Sequence, residues 1–367
     1  MINRLLGHLK AFPSSTPILM LIMIPFLALT EHDGIKFVNK VADEPIPRDG
    51  ERVHKIRNQM KSLGAKGIRF DEYSKETNDL LVGMSGAFKS HKGFLSKLSN
   101  AIQPDVGVYY YKYMPIGSTY SIARYMLDRE SARDMLDNGI ETARDIGFEF
   151  GKAGAFFHAL AEQLFPEKGV IRYSEFVTQS NDVHLDGLLK PLASQGINDP
   201  AAFFFLTDLM MQINAIFALS DAGFFTRRLV LKYMTAALFN GLKSVRSFTR
   251  YAHGEKCSVA FSEDTVRRVD AVFSRATAKK VEKLEPLRHA LVHYDFSAFP
   301  STGRGEIGQV DDALVQAVRC QMDMQVEGFE QFLIDAGQEV VANIIELTRF
   351  PGYRQVLDPD WQATLSC

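Results

Sequence analysis

Towards its C-terminal end the chain reads Glu285-Pro286-Leu287-Arg288-His289-Ala290-Leu291-Val292-His293-Tyr294-Asp295-Phe296. Two of these side chains stand out chemically. The guanidinium of Arg288 is a permanent cation whose planar fork of donors matches a phosphate. The imidazole of His293, five residues on, exchanges a proton near neutral pH. On a helix, positions five apart point about 140° from each other, so one chain cannot aim both groups squarely at one point. A plainer reading stands beside this one: an arginine near a helix C-terminus answers the dipole and a salt bridge, and a histidine there caps the last turn. His289 and His293 are also one turn apart, with Glu285 a turn earlier and Asp295 nearby, a spacing that can hold zinc. The glutamate of an HExxH site is missing and Pro286 starts a new helical segment at Glu285, so no metal is expected.

Other candidates carry less. Ser118 and Ser121 have no histidine close by in the sequence, and Cys257, beside His253, falls in an expected interhelical loop. The cluster Tyr109-Tyr110-Tyr111 can stack bases, yet an aromatic strand more often packs a core. Neither a Gly-x-Gly-x-x-Gly nor a phosphate-loop pattern occurs, so no nucleotide cofactor is expected.

Composition narrows the class further. The 367 residues are 46% hydrophobic and 23% charged, values of a folded protein rather than a disordered or low-complexity one. Lys plus Arg number 42 against 44 Asp plus Glu, a net charge of -2, which excludes a globally basic nucleic-acid binder but leaves room for a local basic face. Three widely separated cysteines, Cys257, Cys320 and Cys367, build neither a disulfide framework nor a zinc ribbon and suggest a reducing compartment, with the cytoplasm as the expected location.

These groups need elements to position them. Residues 1–50 are an apolar segment and a connector. Ile18 to Ile24 reads as a buried strand turning at Asp33-Gly34 into a second strand through Ile35, Phe37 and Val38, with a signal peptide or a short membrane anchor as alternatives. Residues 51–198 read as a mostly helical domain of unknown role, with helices from about Glu51, over Ser74 to Leu98 and between Ser118 and Phe165. Val106 to Met114 adds a small β element, and 167–199 marks the boundary with the C-terminal domain. Residues 199–350 give four long helical segments, about Asp199–Ser220, Gly223–His253, Ser262–Tyr294 and Gln309–Arg349, which predict an antiparallel four-helix bundle; 351–367 is a tail. The overall expectation is a mainly α protein. The second and third segments are basic and the fourth acidic, which is either a solvated charge pairing or a surface for a polyanion.

The run around Arg288 resembles the Arg-x4-6-His signature of the HEPN superfamily, which sits near the end of the third helix of a four-helix bundle and commonly has a polar residue, here His289, after the arginine. The resemblance covers about residues 199 to 350. It implies a metal-independent endoribonuclease that works as a homodimer, two motifs facing each other across a twofold axis. Arg288 would meet the charge that develops on the phosphorane, and His293 would handle the proton of the 2′-hydroxyl or the leaving 5′-oxygen. His289 and Tyr294 would orient the substrate, and Arg250 and Lys283 would bind its backbone. The implied partners are RNA and an antitoxin or regulator protein, in a toxin or phage-defence setting. A non-catalytic helical adaptor and a membrane-associated protein are the alternatives.

Overall fold

The computed structural model describes residues 5, 8, 11–12, 16–41, 53–54, 56–57, 70–87, 105–126, 148, 151, 155, 175–194, 199–254, 261–293 and 310–350. Among them are eleven helices and a three-stranded sheet, so the protein is mainly helical. The N-terminal segment is not the expected strand pair. It is one helix, α1 (Thr16–Val41), with Pro25 inside it and the Asp33-Gly34 pair within its run. An unbroken apolar stretch has no period to separate strand from helix, and this one is covered on every side from Ile22 to Leu29. Two helical windows, Ile18–Lys36 and Pro200–Asp221, are long and apolar enough to cross a membrane, and both are mostly buried within the protein.

The second helix, α2 (Phe70–Ala87), starts four residues before the expected Ser74; residues 88–98 lie outside the described ones. Strands β1 (Asp105–Tyr111) and β2 (Met114–Ser118) split the aromatic stretch into a hairpin. Its turn residues Lys112 and Tyr113 both have positive φ, 46° and 69°, the twist that a two-residue hairpin needs. Asp221 steadies the turn, accepting from Tyr111 Oη at 2.6 Å and from Lys112 Nζ at 2.7 Å. A short helix, α3 (Thr119–Met126), succeeds β2 directly. The stretch read as a domain boundary instead supplies β3 (Gln179–His184), antiparallel to β1, and α4 (Leu185–Ala193), giving strand order β2-β1-β3.

Helices α5 (Pro200–Asp221) and α6 (Arg227–Ala252) match the first two long segments. Asp199 caps α5 through Ala201 N at 2.8 Å, and Pro200 opens it, as expected of such a start. The third long segment is not continuous. It breaks into α7 (Glu263–Asp270), α8 (Arg275–Glu282) and α9 (Glu285–His293). At the first break Val272 and Phe273 turn into the core, Ser274 caps α8 through Thr277 N, and a distant helix satisfies the freed groups. Glu339 accepts from Ser274 N at 2.8 Å and Thr277 Oγ1 at 2.7 Å, and Asn343 Nδ2 donates to Val272 O at 3.0 Å. At the second break Pro286 restarts the helix at Glu285, as its lost N–H requires. The fourth segment also divides, into α10 (Val310–Met322) and α11 (Val326–Thr348), around Asp323 in the left-handed region at φ 56°.

One apolar core runs from α1 through the sheet to α11. Two glycines mark close helix–helix approaches in it. A Cβ at Gly241 of α6 would stand 2.7 Å from both Leu209 methyls of α5, and one at Gly337 of α11 would stand 3.2 Å from Phe217 and 3.3 Å from Ile213 and Met234. Gly241→Ala should therefore crowd the α5–α6 contact. Overpacking costs about 1–3 kcal/mol, offset by about 1 kcal/mol of helix propensity. Urea denaturation should show a net loss, and the further change Leu209→Ala should cost less in that background than in the wild type.

Candidate functional site

Arg288 lies in the second turn of α9, where its own N–H closes on Leu284 O at 2.7 Å. Leu287, Ala290, Leu291 and Val292 are buried and turn α9 into the core against α6, while His289 is exposed. The Arg288 side chain is partly buried and makes no ion pair with a described residue. It lines a crevice with Phe26 and Leu29 of α1, Gln212 of α5, Tyr233, Ala236 and Asn240 of α6, and Val292. About 10 Å³ there is open to the centre of a water, roughly room for one.

Helix α1 closes one side of that crevice. Phe26 meets the Phe225 and Tyr233 rings edge-on at 5.3 and 5.1 Å. Tyr233 Oη donates to Phe26 O at 3.0 Å and contacts Thr30 Oγ1. One turn beyond Leu29 is Asp33, fully buried, 2.9 Å from Lys232 Nζ and 3.7 Å from Arg57 Nη2; both cations are themselves buried. Arg288 Nε is buried with no hydrogen-bond partner among the described residues. Burial first, then the Arg57 cation, depresses the Arg288 guanidinium below its usual range, against the opposing pull of Asp33 and Glu285.

The other expected site residues that are described do not all converge on Arg288. His293 is the last residue of α9, and Tyr294 lies outside the described residues. Lys283 stands at the junction of α8 and α9, exposed, with its carbonyl accepting from Gln321 Nε2 at 2.9 Å. Arg250 is exposed near the end of α6, where its Nε donates to Arg246 O at 3.3 Å. Ten residues separate it from Asn240 in the crevice, about 15 Å along the helix, so it does not share a site with Arg288. Much of the basic charge on α6 is answered by acids. Arg227 pairs with Glu330 at 2.7 Å and Glu327 at 3.3 Å, Lys243 with Glu285 at 3.2 Å, and Arg246 with Glu282.

A second polar cluster was not visible in the sequence. Asp208 of α5 accepts from Ser121 Oγ at 2.5 Å and Arg124 Nη1 at 3.2 Å, and Arg124 lies 4.6 Å over the Tyr73 ring. Tyr120 bonds Thr77 at 2.8 Å, and Ser118 bonds Ser121 at 2.8 Å. Burial raises the Asp208 carboxyl, against Arg124 and Ser121, and raises Tyr120 to about 12. No histidine stands among these described partners, and the cluster fastens α3 and α2 to α5. No group of three or more metal-ligating side chains occurs among the described residues.

Comparison with known protein families, curated proteins and solved structures returns no match. The functional reading therefore rests on the residues of α9 and their surroundings.

Asp208→Asn and Arg124→Met should each cost about 3–5 kcal/mol, because each leaves its partner buried and unpaired. The double variant should cost less than the sum by about 1–3 kcal/mol in chemical denaturation. Additive losses would show that the pair is not coupled.

Proposed function

We propose that the chain is a HEPN-like, metal-independent endoribonuclease, built on a helical bundle in which α5, α6, the α7–α9 series and α10–α11 take the four positions. The observation that carries the reading is the state of Arg288. Arg124, Arg227, Arg246 and Lys243 all have carboxylates within hydrogen-bond reach. Arg288 is held by the fold, desolvated, and keeps a buried nitrogen without a partner among the described residues. A cation so placed has donors in reserve for a phosphate.

The chemistry rests on the two side chains. The 2′-oxygen attacks the phosphorus as a base takes its proton, charge builds on the phosphoryl oxygens, and the 5′-oxygen leaves with a proton from an acid. Imidazole at His293 serves the proton steps and guanidinium at Arg288 the charge. Because the two positions point about 140° apart on α9, a second chain supplies the complementary pair and the active unit is a homodimer. His289 and Lys283, exposed on either side of Arg288 in sequence, would contact the RNA backbone.

One observation favours a non-catalytic adaptor: the acids paired with Arg227, Lys243 and Arg246 leave α6 little free charge for a polyanion. The test is cleavage of a mixed RNA pool in EDTA by the wild type, Arg288→Ala and His293→Ala, each checked by size exclusion. Cleavage by the wild-type dimer should fall at least about 100-fold in either variant while the fold survives. A folded wild-type dimer that cleaves nothing, or a His293→Ala variant that cleaves as fast, overturns the ribonuclease and leaves the adaptor.

A further inference from the structure

We propose that the exposed face of α8 that carries Arg275, Lys279 and Lys283 binds the phosphate backbone of single-stranded RNA and leads the strand towards α9. The choice of RNA among polyanions rests on the ribonuclease reading; the basic face itself rests on how this part of the protein distributes its charges.

Position and pairing point to it. Residues four apart on a helix rise about 6 Å per step and drift about 40° around the axis. The three cations therefore form one row along α8, with Lys283 as its C-cap. All three side chains are exposed, and none makes an ion pair or a hydrogen bond with a described residue. The nearest acids in sequence, and the acid of α11 that contacts α8, are engaged elsewhere. Glu282, between Lys279 and Lys283 in sequence, is held by Arg246 of α6, and Glu285 stands 3.2 Å from Lys243. Glu339 of α11 accepts from Ser274 N and Thr277 Oγ1. Lys280, off the row, lies over the Phe332 ring of α11 at 5.4 Å. Helix α7 differs. There Arg267 and Arg268 share Asp264 at 2.5 and 2.7 Å, with Glu263 and Asp270 exposed on the same helix, so the row of unanswered cations begins at Arg275.

Charge without an apolar seam identifies the kind of partner. A membrane surface or an acidic amphipathic helix needs large apolar side chains beside the cations. The exposed large hydrophobics among the described residues are Val82, Tyr113, Phe148 and Val177, and none of them is on α7, α8 or α9. A nucleic-acid strand needs only the cations, because its phosphates repeat every few ångströms and release their condensed counterions on binding. Arg275 can take a phosphate on two donors, and the lysines act as point charges. Such contacts position a strand without reading its sequence. The row ends where α9 begins, five residues before Arg288, and so holds the strand close to the residues proposed to cut it. Helix α6, with Arg227, Lys243 and Arg246 paired to acids, does not offer the same surface.

The experiment is binding of a fluorescent 2′-O-methyl oligouridylate, which lacks the attacking 2′-hydroxyl and stays intact, read by anisotropy from low to high salt. Two variants of the full chain are compared with the wild type. Arg275→Gln/Lys279→Gln/Lys283→Gln removes the row on α8, and Arg227→Gln/Lys243→Gln/Arg246→Gln removes as many cations from the paired setting on α6. All six side chains lie at the surface, so both variants should melt within a few degrees of the wild type. Each phosphate contact in a single strand contributes about 0.7 to the slope of log K against log salt, so the α8 variant should lose about 2 from that slope. Its affinity at low salt should fall at least about tenfold, whereas the α6 variant should keep the slope and lose no more than about threefold.

Equal losses in the two variants, or an α8 variant that binds like the wild type, overturn the proposal, and so does a wild type that binds no oligonucleotide at low salt. Vesicles containing phosphatidylserine, and polyglutamate, are run in parallel. Either one bound as tightly as the oligonucleotide, with the same dependence on α8, overturns RNA as the occupant. Cleavage of natural RNA separates this proposal from the ribonuclease reading. Binding through α8 without cleavage keeps the row and removes the ribonuclease; cleavage by the α8 variant at the same RNA concentrations as the wild type keeps the ribonuclease and removes the row. Where both stand, the α8 variant should need at least about tenfold more RNA for its half-maximal rate, with the maximal rate within about twofold of the wild type, because the row positions the strand and takes no part in the proton steps.

Discussion

A helix that is apolar on every face has to be covered on every face, and α5 imposes that requirement on the whole protein. From Ala201 to Leu219 only Asp208 and Gln212 are not fully buried. The sheet lies against it through β2, α2 covers another side, and α6 and α11 close the rest. Several of its polar groups, and the cap that opens it, are satisfied by different neighbours. Asp199 binds Ser74 of α2 at 3.0 Å, Asp208 binds Ser121 and Arg124 of α3, Asn214 donates to Pro115 O of β2 at 3.0 Å, and Asp221 holds the hairpin turn. Apolar burial supplies the driving force, and these directed bonds select one arrangement of the covering elements.

The same requirement explains α9. A single continuous helix from 262 to 294 would have to lie along α6 for its full length. The two breaks instead let Val272 and Phe273 turn inward and let α9 tilt its buried face, Leu287, Ala290 and Leu291, against α6 and α1. Each break has its backbone answered from elsewhere, by Glu339 and Asn343 at the first and by Gln321 at the second. Arg288 is thus placed by groups more than thirty residues away on α10 and α11. Its surroundings come from still further off, since Leu29 and Asp33 of α1 stand beside residues of α6.

Elements marked by local signals were legible in the sequence, and elements fixed by distant partners were not. The starts of α5 and α9 were legible because Asp199-Pro200 and Pro286 are local signals, and the aromatic strand was legible from its residue types. The hairpin turn was not, because its central residues, Lys112 and Tyr113, are not those usually found at positive φ, and the turn is held by Asp221 of another element through Tyr111 and Lys112. The break at 271–274 carries a weak local mark in Ser274-x-x-Thr277, but what fixes it is Glu339, over sixty residues on. The fate of α1 was hidden for a different reason. Continuous apolar sequence fits a strand, a core helix and a membrane helix alike, and only the packing of Phe26 on Tyr233 and Phe225 distinguishes them. The charge asymmetry between helices was legible as a pattern but not as a pairing, because Glu282, Glu285 and Glu330 reach α6 only in three dimensions.

A structural arginine and a substrate-binding arginine differ in how completely the protein itself compensates the charge. Arg124 is the structural kind: Asp208 faces it, an aromatic ring lies beneath it, and the strength of those partners outweighs its burial and holds its proton more tightly than usual. Arg288 is shifted the other way. It is largely desolvated, shares its surroundings with a second arginine, and among the described residues has only the indirect influence of Asp33 and Glu285 in return. A fold gains nothing in stability from a cation left in that state, since desolvation costs more than the distant carboxylates return. The shortfall is what an approaching anion would relieve, and it is located at the residue that the sequence singles out on chemical grounds alone. Helix α1 marks the difference between the two arginines: its apolar residues Phe26 and Leu29 line the crevice around Arg288, whereas Arg124 is met directly by the carboxylate of Asp208.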